Sequence, residues 1–97
     1  MLKAIYQQRI ADIVQPFLCG KKVGVFIFGS SVRNDRFGDC DIGLQGEVDE
    51  EVRQHIQEAL SESTLPYTTD VVNFNTVSAE FKQHVFQQPM VWIQREA

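Results

Sequence analysis

The chain has 97 residues, enough for one hydrophobic core and too few for two, so residues 1–97 read as a single domain. Its 43% hydrophobic and 23% charged residues match globular averages and exclude disordered, collagenous and coiled-coil classes. Nine basic residues against thirteen acidic ones leave a net charge of -4, the wrong sign for general nucleic-acid binding or for attachment to an anionic membrane.

The first element is an amphipathic helix. Leu2, Ile5, Tyr6, Ile10, Ile13, Val14, Phe17 and Leu18 follow the i, i+3, i+4 rule, with Lys3, Gln7, Arg9 and Asp12 opposite. Pro16 and Gly20 kink or end it between them, because one lacks an amide hydrogen and the other accepts a left-handed conformation. Val23–Phe28 is continuously apolar and reads as a central strand covered on both faces. From Asp39 to about Gln45 a second strand alternates Cys40, Ile42 and Leu44 with Asp39, Asp41, Gly43 and Gln45.

Asp49-Glu50-Glu51 opens a helix with the buried stripe Val48, Val52, Ile56 and Leu60, ending at the turn Ser61–Pro66. Carboxylates there complement the helix dipole, a structural reading preferred to metal binding. Tyr67 to Phe74 is a third strand. Ser78 caps a last helix expected to bury Phe81, Val85 and Phe86, and Pro89 ends it before a short apolar tail, Met90 to Ile93. The fold class is α/β (α+β), a small mixed β-sheet flanked by helices and without repeats.

No apolar run approaches the roughly 18 residues of a membrane span. The first thirteen residues lack a signal-type hydrophobic core, so the expected location is cytoplasmic, without a membrane partner. Cys19 and Cys40 have no ligand-like spacing and read as reduced packing residues. His55 and His84 are isolated and read as surface or packing residues, while Trp92 and the phenylalanines read as core. The GxSxG, HExxH, GxGxxG and GxxxxGK motifs are all absent, which removes serine-hydrolase, zinc-protease, dinucleotide and P-loop readings.

The chemistry concentrates between Phe28 and Leu44. The first strand runs into Gly29, where a missing side chain lets a ligand approach the backbone. Ser30 and Ser31 offer hydroxyls and amides at an expected helix start, and Arg33 adds a fork of donors. That pattern suits a phosphate. Asp39 and Asp41 leave one strand face roughly 7 Å apart, as hard oxygen ligands for Mg²⁺ beside a triphosphate. Asp70 sits inside Thr68-Thr69-Asp70-Val71-Val72, where an ionised group needs a metal or partner. Each feature alone has a plain structural explanation; the ordered set points to two-metal phosphoryl or nucleotidyl transfer.

Gly29-Ser30, then Asp39-Cys40-Asp41-Ile42, then Asp70 between apolar residues resembles the DNA polymerase β nucleotidyltransferase superfamily. The stretches Leu60–Tyr67 and Asp70–Thr76, with Ser78 and Phe81, resemble its minimal, stand-alone branch, the MNT proteins paired with a helical HEPN protein. The likeness covers nearly the whole chain and implies a polymerase-β-like nucleotidyltransferase fold. It departs from that pattern in a loop about two residues shorter than usual between Ser30 and Asp39, and in Gly38 where a serine often stands. A rival alignment would use Asp41 and position 43, but Gly43 cannot bind metal, which selects Asp39 and Asp41.

The resemblance implies transfer of a nucleoside monophosphate, AMP from ATP, to a hydroxyl on a HEPN toxin, the chain acting as antitoxin. Gly29, Ser30, Ser31 and Arg33 would hold the triphosphate. Asp39, Asp41 and Asp70 would bind two Mg²⁺ ions and perform catalysis, with Asp70 drawing the acceptor proton. The acceptor must come from a partner, so a homo- or hetero-oligomer is expected. The competing reading is a binding module that silences a helical partner by contact and retains its aspartates without using them.

Overall fold

In the computed structural model, which describes residues 3–29 and 38–95, the elements run α1 (Ala4–Leu18), β1 (Val23–Phe28), β2 (Asp39–Gly46), α2 (Glu50–Ser61), β3 (Thr68–Asn73), α3 (Ala79–Phe86) and β4 (Val91–Gln94). The strands form a mixed sheet in the order β3-β2-β1-β4. β1 pairs antiparallel with both β2 and β4, whereas β2 and β3 are parallel and joined across α2. The expected mixed sheet with flanking helices is therefore present.

Every residue of β1 is buried, as a continuous apolar run at the centre of a two-sided sheet must be. Val23, Val25 and Ile27 pack with Cys40, Ile42, Leu44 and Val71 beneath Ile10, Val14 and Leu18 of α1 and Ile56 and Leu60 of α2. Phe26 and Phe28 face the other way and join Phe74 and Val85, with Val72, Met90 and Trp92 at the margin. One side of the sheet is thus aliphatic and lies under two helices, and the other is aromatic and lies against α3.

Helix ends follow the sequence signals. α1 runs through Pro16 and stops at Leu18, and Gly20 at φ +79 lets the Lys21 amide reach back to the Leu18 carbonyl. The Asp49 carboxylate accepts from the Val52 amide at 2.9 Å and caps α2, and the Ser78 hydroxyl accepts from Phe81 at 3.1 Å and caps α3. The acidic start of α2 is therefore a cap, as expected. Neither cysteine is disulfide-bonded, though only Cys40 is buried.

Two expectations fail. The tail Met90–Ile93 is largely a strand, β4, whose alternation places Val91 and Ile93 on the aliphatic side and Trp92 on the aromatic side. Phe81 and Phe86, expected to be buried in α3, are each 40% exposed. A helix of only eight residues buries one narrow stripe, and Val85 occupies its centre.

Gly43 makes the aromatic side possible. Across β1 and β2 it lies opposite Phe26, and a Cβ there would stand 2.3 Å from the Phe26 ring and 2.8 Å from that of Phe74. The missing side chain is the space these rings fill, so position 43 could not carry a metal-binding carboxylate either. Gly43→Ala should destabilise the fold by about 1–3 kcal/mol through overpacking, read from urea unfolding. A variant as stable as wild type would show that the rings are not confined.

Candidate functional site

Strand register assembles the acidic residues. Asp39 and Asp41 alternate with the buried Cys40 and Ile42, so they project from the aromatic side of β2. In the parallel pair, Asp41 lies directly opposite Asp70, on strands about 4.8 Å apart. On its other flank Asp41 is opposite Phe28, the last residue of β1. Asp39, Asp41 and Asp70 therefore share one face near the end of β1.

The position of Asp70 is fixed from behind by α2. Gln57 donates to the Thr69 carbonyl at 2.8 Å and accepts from the Val71 amide at 2.9 Å, and Arg53 donates to the Val71 carbonyl at 3.1 Å. Arg53 is itself braced by Glu50, with an ion-pair distance of 2.7 Å. These side chains occupy the outer edge of β3, which leaves Asp70 facing Asp41. The sequence reading took Asp70 as a charge inside an apolar strand. β3 is instead an edge strand and Asp70 is exposed, so it needs no buried partner.

Gly29 closes the site on the β1 side. Its φ is +81, a conformation that side chains rarely adopt, and a Cβ on it would lie 2.5 Å from Oδ2 of Asp41. The sequence assigned this glycine to close approach of a ligand to the backbone. The close approach that the structure contains is that of the Asp41 carboxylate. Ser30, Ser31 and Arg33, the other expected phosphate ligands, lie outside the described residues.

Electrostatically the cluster is only weakly compensated, the Arg53 charge acting on Asp70 without pairing with it. No basic side chain among the described residues forms an ion pair with Asp39, Asp41 or Asp70. Partial burial, then the charge of Asp70, then that of Asp39, hold the Asp41 carboxyl above its ordinary pKa. Among the described residues no group of three His, Cys, Asp or Glu side chains is arranged to hold a metal ion by itself. That arrangement still fits Mg²⁺, which keeps waters and binds through one or two carboxylates together with substrate phosphates. The donors are all hard oxygens, and their mutual repulsion is what a cation would relieve.

Beside Gly29, between the end of β1 and α3, lies a cavity of about 200 Å³ lined by Phe28, Gly29, Phe81, His84, Val85 and Gln88. The sequence reading missed it, treating Phe81 as core and His84 as a surface or packing residue. The usable signal was the stripe 81, 84, 85, 88, which has helical spacing but carries two polar members.

The raised Asp41 pKa carries a sign. Ionising a carboxyl whose pKa is higher in the folded than in the unfolded state weakens the fold, so the cost is absent below about pH 4 and grows as the pH rises through the folded-state value. Asp41→Asn, without cation, should therefore melt above wild type near pH 7, with the gap narrowing toward pH 4. A variant melting at or below wild type at neutral pH would contradict this electrostatic reading.

Comparison with known proteins identifies the fold and the family. No family model matches the chain. The chain is 30% identical over 87 residues to the "Probable protein adenylyltransferase MntA" of Haemophilus influenzae, covering 86% of this chain and 68% of that protein. Among solved structures, a chain of the tri-AMPylated Shewanella oneidensis HEPN toxin in complex with MNT antitoxin superposes with a TM-score of 0.73 at 20% identity, covering 97% of this chain and 73% of that one. A toxin-antitoxin structure with AMP-PNP gives 0.71 at 22% identity, covering 92% and 73%. The structural matches establish the fold; the sequence match, spanning over two thirds of its relative, shows that this chain belongs to the MntA family of minimal nucleotidyltransferases.

Proposed function

We propose that this protein is an adenylyltransferase that moves AMP from ATP to a hydroxyl of a HEPN-type helical partner, and acts thereby as the antitoxin of the pair. The observation that carries this reading is the convergence of Asp39, Asp41 and Asp70 beside the Gly29 turn, in a chain related to a protein adenylyltransferase. Two structural neighbours, one an AMPylated HEPN toxin with its MNT antitoxin and one with AMP-PNP, support the acceptor and the nucleotide class.

The roles divide by position. Ser30, Ser31 and Arg33, which follow the Gly29 turn in sequence, bind the triphosphate. Asp39 and Asp41 would hold Mg²⁺ there, and Asp70, on the neighbouring strand, would complete the ligand set. When bound, the ions would supply positive charge to the triphosphate and to the attacking oxygen. Asp70, exposed on the edge strand across from the Asp39 and Asp41 pair, is within reach of a second protein and accepts the proton of the acceptor hydroxyl. The acceptor oxygen bonds to the α-phosphorus, the bond from that phosphorus to the bridging oxygen breaks, and pyrophosphate leaves. Asp41 need not be the base, since its surroundings favour cation binding over exposure to an acceptor.

Removing a general base typically costs 10²- to 10⁴-fold in rate. Asp70→Asn should therefore fold, form the complex and bind ATP with magnesium nearly as wild type does. Transfer of α-phosphate label to the co-purified partner should fall by at least about 100-fold. Labelling near the wild-type rate would make Asp70 structural. A wild type that silences its partner without transferring label would establish the contact-only antitoxin instead.

A further inference from the structure

The carboxylate site accounts for the phosphates of a nucleotide but not for its base. We propose that the cavity beside Gly29 seats the nucleoside of the bound triphosphate, with the Phe81 ring as stacking platform and His84 and Gln88 as polar rim; this rests on the function proposed above. Three observations support it.

The first is continuity. Gly29 borders both the cavity and the Asp41 carboxylate, so a ligand whose phosphates lie beside that carboxylate has this space next to it. The second is size. About 200 Å³ is below the roughly 300–1,000 Å³ of a complete small-molecule pocket, as suits one part of a longer ligand whose charged remainder lies outside. The third is the chemistry of the lining. Phe28 and Val85 are buried and form an apolar floor. Phe81 is 40% exposed, yet held at ring-centroid distances of 6.4 Å from Phe28 and 5.7 Å from Phe74. A fixed, partly exposed ring is what base stacking needs, and stacking tolerates any base because each has a π-face. His84 on α3 and Gln88 just past its end line the same cavity as Phe81 and Val85, and bring hydrogen-bonding groups to an otherwise apolar space.

Calorimetric titration of the intact protein with magnesium, comparing ATP with inorganic tripolyphosphate, separates the base seat from the phosphate site. Wild type should bind ATP at least about 10-fold more tightly than tripolyphosphate. Phe81→Ala should weaken ATP about 10-fold and leave tripolyphosphate unchanged, which also reports an intact phosphate site. Should the alanine variant unfold, Phe81→Leu keeps the apolar contact and removes the flat ring, with the same expectation. Phe86→Ala, equally exposed on the same helix but outside the cavity lining, should change neither. Equal wild-type affinity for the two ligands, or a Phe81 variant that affects both alike or neither, overturns the base seat while leaving the transfer reading intact. Unchanged ATP affinity with slowed transfer would assign the cavity to the acceptor side chain and overturn it too. Failure of wild type to bind either ligand would bring down the transfer reading and this proposal with it.

Discussion

Like charges on one face of a sheet repel, and this fold is built to hold three of them together. Asp41 lies opposite Asp70 and two residues from Asp39, with no ion-pair partner among the described residues, and its partial burial together with these two charges raises its pKa. The arrangement costs stability unless something neutralises it. The surrounding structure therefore has to impose the register rather than follow from it. Gln57 and Arg53 do this from α2 by occupying the backbone groups at the outer edge of β3. The amide of Thr68 bonds to the Gly38 carbonyl and that of Phe74 to the Leu44 carbonyl, which continues the parallel pairing at both ends. The same contacts block β3 from adding another strand, so one set of side chains fixes the site and protects the edge.

Two glycines serve the site by what they leave out. Gly43 gives its volume to Phe26 and Phe74, which lets an aromatic layer form on the same face of the sheet as the acidic cluster. Gly29 gives its volume to the Asp41 carboxylate and turns the chain out of the sheet at a φ that other residues rarely accept. The aromatic layer in turn holds Phe81 beside Gly29. Core packing and site geometry are thus continuous: the rings that stabilise the α3 side of the sheet are neighbours of the carboxylates and the wall of the adjoining cavity.

Much of this was legible in the residues. The unbroken apolar run Val23–Phe28 could only be a strand buried on both faces, and the alternation from Asp39 placed both aspartates on one side. Asp49 and Ser78 marked helix starts because their side chains satisfy amides that the helix leaves open. What failed depended on partners distant in sequence. Met90–Ile93 is too short to declare itself a strand; pairing with β1, more than sixty residues earlier, makes it one. The exposure of Phe81 and Phe86 reflects the shortness of α3 rather than its periodicity. That Asp70 meets Asp41 follows from parallel pairing, which no local pattern encodes. The choice of Asp39 and Asp41 over position 43 rested on glycine lacking a ligand, and the packed rings at Gly43 supply a second, independent reason.

The central claim is that the acidic cluster is a cation-dependent nucleotide site, and thermal melting of the intact protein with magnesium alone, ATP alone and both together tests it most directly. Together they should stabilise the fold, by about 2.7 kcal/mol when the ligand stands at 100 times its dissociation constant, and Asp39→Asn should abolish most of that gain. Stabilisation by ATP alone equal to that with magnesium, or an Asp39→Asn variant that responds like wild type, would contradict it.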